Sequence, residues 1–222
     1  MKGLRDLLNR SPLIARVAPF VIFLLLTALQ GKVGPASAYW IYAAKTIVGA
    51  LLVVAMWPIV AEMRWAISWE AVVAGVGVFL FWVFLDPYYP KWGSGGEVWN
   101  PFTQFGAGST LGWFFVAVRI LGSGFVVPPL EEAFYRSFVY RYMIKPEFET
   151  VSLTTYSLRA LAITAILFGA SHYQWLAGIL CGLAFQGLVL KKGRLGDAMT
   201  AHAITNILLG IWVVWKAQWQ FW

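Results

Sequence analysis

The stretch LGWFFVAVRILGSGFVVPPLEEAFYRSFVYRY, residues 111–142, decides the fold. It is longer than the ~20 residues a helix needs to cross a bilayer core. Inside it stand Arg119, Glu131, Glu132 and Arg136. Charged side chains are costly in lipid and persist there where they pair or work. Pro128-Pro129, with Gly122 and Gly124 ahead of them, predicts an interruption. The stretch is therefore expected as a membrane helix followed by a tilted helix carrying the glutamates. In that second helix Glu132 and Arg136 are four residues apart and share a face, while Glu131 is turned about 100° away. One carboxylate can be held by a cation while the other works.

The rest of the chain agrees with a membrane setting. Hydrophobic residues make up 60% of it, charged residues only 12%, and the mean hydropathy is +0.69, a balance foreign to soluble domains. Further apolar runs cover about 17–29, 39–60, 69–85, 157–172, 175–190 and 198–215. The expected architecture is all-α: one polytopic helix bundle of about seven crossings with a broken fourth segment, forming a single integral membrane domain over residues 1–222. Runs such as Val48 to Val54 do not alternate in polarity, which excludes a membrane β-barrel. The basic amino end and the run from Val17 to Leu29, followed by Ala36-Ser37-Ala38, resemble a signal peptide; we read them as a retained first span.

Charge sets a topology rather than a nucleic-acid partner. The net charge is +7, but the cations are scattered over short loops, with no basic and aromatic face. On the seven-crossing reading, Lys2, Arg5, Arg10, Arg16, Arg64, Arg141, Lys145, Arg159, Lys191, Lys192 and Arg194 share one side, against Lys32, Lys45, Lys91 and Lys216 on the other. That asymmetry predicts a cytoplasmic amino end. The loop from Asp86 to Thr110, rich in Pro, Gly, Trp and Tyr, is expected at the opposite interface.

Three polar clusters interrupt the apolar background: Glu131-Glu132 with Arg136, Phe168 to His172, and His202 to Asn206. They include both histidines of the chain. His202 and Asn206, four apart, can converge on one point of the bundle interior. A carboxylate paired with a neutral imidazole can deprotonate a water molecule. A second imidazole and an Asn amide are suited to hold the negative oxygen of an attacked carbonyl. The plainer readings stand beside this one. Glu132 with Arg136 is foremost a structural ion pair, and a membrane His or Asn is often a hydrogen bond between helices. Glu131 has no basic partner at i+4, which favours a working role. Cys181, the single cysteine, permits no intrachain disulfide and reads as packing, and Asp197 reads as the N-cap of the last helix.

The motifs carry a resemblance. Glu131-Glu132-Ala133-Phe134-Tyr135-Arg136 matches EExxxR, Phe168-Gly169-Ala170-Ser171-His172 matches FxxxH, and His202-Ala203-Ile204-Thr205-Asn206 matches HxxxN, in that order. With these the chain resembles the CPBP family, the CAAX protease and bacteriocin-processing membrane proteins that include the Rce1-type intramembrane glutamate proteases. It is most similar to short prokaryotic CAAX-protease-related members, and residues 111–215 form the motif-bearing core. The resemblance implies an endopeptidase that cuts a protein or lipidated-peptide tail at the membrane, with neither metal nor other cofactor. It implies Glu131 as the base, His172 as its partner in activating water, and His202 with Asn206 as the oxyanion-stabilising pair. Glu132 and Arg136 then support them. A prokaryotic cytoplasmic membrane is the expected location.

Other readings remain open. A non-catalytic, immunity-type protein can use the same pocket to bind a peptide or partner helix. Two histidines and two glutamates can also ligate a divalent ion, although no HExxH pattern is present. A transporter would use the buried charges as a proton relay, against which stands the lack of an internal repeat. A cavity among the motif residues is expected to open laterally or toward the cytoplasmic face.

Overall fold

A computed structural model of the chain describes residues 1–91 and 98–222. Helices dominate and no strand occurs among the described residues. The elements are α1 (Lys2–Leu8), α2 (Pro12–Ala28), α3 (Ser37–Met56), α4 (Trp69–Leu85), α5 (Pro101–Phe105), α6 (Thr110–Leu121), α7 (Val127–Glu132), α8 (Tyr140–Ile144), α9 (Leu158–Ala170), α10 (Trp175–Lys192) and α11 (Gly196–Lys216). Among the described residues five helical stretches are long and apolar enough to cross a membrane, and the pair α1 and α2, bent by 117°, passes the same test only when the two are taken together as one broken span. Helix α9, with 13 residues, is apolar but shorter. Ile47, Leu51, Val73, Phe81, Phe84, Phe114 and Ile166 are exposed on the sides of the bundle, as a lipid-facing surface requires. The protein is an integral membrane helix bundle.

Local sequence explains where the helices begin. Ser11, Ser68, Ser109 and Ser157 each accept a backbone N–H from the first turn of α2, α4, α6 and α9, satisfying donors that a helix start otherwise leaves bare. Gly193 closes α10 in a left-handed conformation at φ 67°. Asp197 is not the cap of α11: the helix starts at Gly196, and Asp197 lies in its first turn, where it accepts from Arg194 Nε at 2.6 Å.

The interruption expected at Pro128-Pro129 takes a different form. Residues 110–144 make one helical path of 35 residues, with π turns over Gly122–Val126 and Ala133–Val139 in place of a break. Two prolines in succession remove two backbone donors. The chain answers by widening the preceding turn, so that Val127 N–H bonds to Gly122 O across five residues. Gly124 lets this wide turn lie against α11: a Cβ there would come within 2.7 Å of Ile207 Cγ1.

At one end of the bundle, Glu62, in the link between α3 and α4, gathers two arginines. Arg16 Nη2 and Arg141 Nη2 each donate to Glu62 Oε1 at 2.7 Å, and the Ser137 hydroxyl donates to the same oxygen. Arg16 Nε donates to Ser137 Oγ at 2.7 Å. Both guanidinium groups also lie against the Phe148 ring. Burial alone would raise the Glu62 pKa, but the Arg16 charge and the hydrogen bonds from Ser137 and Arg16 outweigh it and bring the carboxyl to about 2. At the same end Lys191 and Lys192 pair with Glu70. The opposite end is aromatic: Trp99 packs on Tyr39 and Trp222, and Trp175 Nε1 donates to Pro90 O at 2.9 Å. Residues 92–97 of the 86–110 loop lie outside the described residues.

Candidate functional site

The three motifs converge from three elements. Helix α7 supplies the glutamates, the turn after α9 supplies His172, and α11 supplies His202 and Asn206. Helix α9 can place His172 because it crosses α10 in close contact: a Cβ on Gly169 would lie 2.6 Å from the Trp175 carbonyl oxygen. Any larger residue at position 169 would push the turn at 171–174 outward.

Glu132 is completely buried and has two partners. Its Oε2 lies 3.1 Å from Arg136 Nε, the pairing expected from the sequence, and its Oε1 accepts from His202 Nδ1 at 2.9 Å. Arg136, also completely buried, packs its guanidinium over Phe168 at 4.3 Å. A carboxylate oxygen accepts, so in this hydrogen bond Nδ1 is assigned as the protonated nitrogen of His202. The other nitrogen, Nε2, lies 3.9 Å from Glu131 Oε2. His202 therefore stands between the two glutamates, a link that the motif spacing did not disclose.

Glu131 differs from its neighbour. Its side chain is 16% exposed, and Oε2 is buried without a hydrogen-bond partner among the described residues. A carboxylate oxygen of this kind calls for a donor, and a water molecule is the smallest that can bridge 3.9 Å to an imidazole. His172 is oriented by its own turn: Nδ1 lies 2.7 Å from Phe168 O and 3.1 Å from Ser171 Oγ, and Ser171 donates to the same carbonyl. A carbonyl only accepts, so Nδ1 carries the proton and a neutral His172 keeps Nε2 as an acceptor. Trp82 and Phe168 flank the ring at 5.3 and 4.8 Å between centroids. Asn206 Nδ2 donates to Ser123 O, in the first π turn, at 2.8 Å. One amide hydrogen is committed there, and the second makes no hydrogen bond among the described residues.

Glu131, His172, His202 and Asn206 all line one cavity of about 400 Å³. His172 makes no ion pair with Glu131, but the two face the same space. Leu24, Thr27, Ser171 and Tyr173 are exposed members of the wall, so the cavity reaches the surface beside α2 and at the turn after α9. The second mouth lies at the aromatic end and not at the basic one, because α9 carries His172 away from the Glu62 cluster. Lys45 corrects a further expectation: it is 5% exposed within α3 and lines the cavity instead of a loop. Cys181 is another wall residue. Among the described residues, no group of three or more His, Cys, Asp or Glu side chains is gathered in a way that could hold a metal ion.

Residues 112–208 match the family model described as type II CAAX prenyl endopeptidase Rce1-like. The Rce1-like region thus runs from α6 to the middle of α11 and contains all three motifs. No curated protein and no solved structure matches the chain. Similarity to the Rce1-like family supports a protease acting on a peptide or protein at a membrane.

Proposed function

We propose that the chain is a glutamate-dependent intramembrane endopeptidase that hydrolyses a peptide bond in a protein or lipidated-peptide tail entering the cavity from the membrane. The observation that carries this reading is the contrast between the two adjacent glutamates. Glu132 has a cation, Arg136, beside one oxygen and the His202 ring on the other, whereas Glu131 presents to the cavity a buried oxygen with neither a cation nor a hydrogen-bond donor within bonding distance among the described residues, opposite an imidazole nitrogen.

Glu131 and the Nε2 lone pair of His172 hold a water and take its proton as its oxygen attacks the carbonyl carbon. Negative charge then collects on the carbonyl oxygen. The remaining amide hydrogen of Asn206 faces it, as does Nε2 of His202 when that ring carries a second proton. The proton held by Glu131 passes to the departing amine as the C–N bond breaks. Glu132 and Arg136 keep His202 in its orientation and do not touch the substrate. The chemistry is written without a metal, and we set the protein in a prokaryotic cytoplasmic membrane with its amino end on the cytoplasmic side, an orientation that the charge asymmetry supports.

Purified protein in nanodiscs, given a membrane peptide it cleaves, should lose turnover on Glu131→Gln while its thermal unfolding stays in place. Unchanged cleavage would remove the proposed base. The hydrogen bond from Asn206 to Ser123 O is what a structural hydrogen bond between helices would also look like, and it favours a second reading as a non-catalytic, immunity-type peptide binder. That reading expects the same affinity for peptide before and after Glu131→Gln and no cleavage by either protein.

A further inference from the structure

Outside the wall of the Glu131 cavity, three interior side chains carry polar atoms with no hydrogen-bond partner among the described residues. They are Nη1 and Nη2 of Arg136, the hydroxyl of Thr164 on α9, and both the oxygen and the nitrogen of the Gln186 amide on α10. Each of the three residues is 2% exposed or less. Elsewhere the chain satisfies such groups. Thr205 donates to Gly75 O and Ala201 O at 2.8 and 3.0 Å, Thr200 to Ala66 O at 2.9 Å, and Gln174 to Gln220 O at 3.4 Å. Thr164 does not bond back to the carbonyl one turn before it, the usual partner of a threonine inside a helix, so its hydroxyl is turned elsewhere.

Packing brings the three toward one another. Helices α9 and α10 lie together with Gly178 against Gly169 and Gly182 against Ala165, where an added Cβ would come within 2.9 and 3.0 Å of the facing Cα. The two helices run in opposite directions, so Gln186, one turn beyond Gly182, comes beside the turn of α9 that carries Leu161 and Thr164. After two glycines, Gln186 is the first long side chain on that face. Phe168, one turn after Thr164 on the same face of α9, lies against the Arg136 guanidinium at 4.3 Å, and Phe185, next to Gln186, lies at 5.8 Å from it.

We propose that Arg136, Thr164 and Gln186 enclose an internal water site that fixes the guanidinium of Arg136 from its Nη side. The donor and acceptor set selects the ligand. A guanidinium repels a metal cation, and Glu132 already balances its charge, which leaves no call for an anion. Arg136 can only donate, whereas an amide and a hydroxyl both donate and accept. Water does both, and buried water takes two to four such partners. Water that accepts from Arg136 Nη1 or Nη2 and donates to the Gln186 or Thr164 oxygen holds the guanidinium plane, and through it Glu132 and the Nδ1 bond of His202. Gln186 and Thr164 are then positioning residues for turnover, a step that rests on the endopeptidase reading.

The test uses the full chain in phosphatidylcholine nanodiscs and three variants: Gln186→Met, which keeps the side-chain length without the amide, Thr164→Val, which removes only the hydroxyl, and the two combined. Polar groups that were merely stranded would be replaced at no loss, and the unfolding midpoint would hold or rise. A shared water predicts that each single change lowers the midpoint by about 2–4 °C. The double variant should fall hardly further, because the water leaves with its first partner. Midpoints that hold or rise in both single variants, or two losses that add, overturn the proposal. Pulsed X-ray radiolysis, which turns bound water into hydroxyl radical, should mark the completely buried Phe185 in the unaltered protein and not in Gln186→Met. An unmarked Phe185, or a mark that persists in Gln186→Met, overturns it as well. With a membrane peptide that the protein cleaves, Gln186→Met should lower kcat about tenfold with KM unchanged. An unchanged kcat overturns the positioning role. A protein that cleaves nothing fails the protease reading alone, because the midpoint and the radiolytic mark judge the water site without a substrate.

Discussion

Two acid–arginine clusters in this protein use the same chemical groups for opposite ends. At the basic end of the bundle, one oxygen of Glu62 receives hydrogen bonds from Arg16, Arg141 and Ser137. In the interior, Glu132 is held by Arg136 and His202, while Glu131 beside it keeps an oxygen without a donor. The first cluster ties together α2, the link between α3 and α4, the second π turn and α8. The second closes around one carboxylate and leaves its twin facing a cavity. A saturated network is worth most as a fastening, whereas an unsaturated one has an atom left with which to react.

The comparison is testable by asking which variants lose turnover and which lose stability. Glu131→Gln and His172→Ala should lower peptide cleavage by about 10²–10⁴-fold, the span of general acid–base catalysis, with the unfolding midpoint nearly unmoved. Glu62→Gln should do the reverse. It leaves two buried guanidinium groups without their carboxylate, at a cost of about 3 kcal/mol, seen as a lower unfolding midpoint in detergent with turnover per folded molecule retained. If Glu62→Gln instead abolished turnover at full stability, the division between the two clusters would fail.

Acid should reach the fastening first. The Glu62 carboxyl titrates at about 2 in the fold against a reference of 4.5. A depressed folded pKa contributes stability that is complete above about pH 4.5 and is lost as pH falls toward 2. The loss is on the order of 3 kcal/mol, and it should be missing in Glu62→Gln when unfolding is followed against pH. Asn206→Ala should cost about 10²-fold in turnover, the lower end for removal of one oxyanion donor, with little change in peptide affinity. A strong chelator should change nothing. Loss of cleavage restored by added zinc would turn Glu131, His172 and His202 from acid–base groups into ligands.

Much of this was legible in the sequence, and the exceptions have physical causes. Apolar runs announce the helices, and the order of EExxxR, FxxxH and HxxxN announces which segments carry the polar residues of the cavity. What the pattern could not disclose is angular. The path through Pro128-Pro129 depends on how tightly Gly124 settles against Ile207, so a predicted break became a π turn. The pairing of His202 with Glu132 depends on how α11 rotates against α7, which no spacing within either helix determines. Glu62 lies in an irregular link between helices with no periodicity to flag it. Lys45 read as a topology charge because hydropathy counts a cation without saying whether it faces the headgroups or an internal cavity.

The account turns on a water molecule, not a side-chain oxygen, attacking the carbonyl under the control of Glu131. A single turnover in ¹⁸O-labelled water, with enzyme in excess over peptide, reads this directly by mass spectrometry. The account predicts one ¹⁸O atom in the new carboxylate of the product and none in Glu131. An unlabelled product with ¹⁸O recovered in the Glu131 side chain would show that the glutamate itself had bonded to the substrate, and would contradict it.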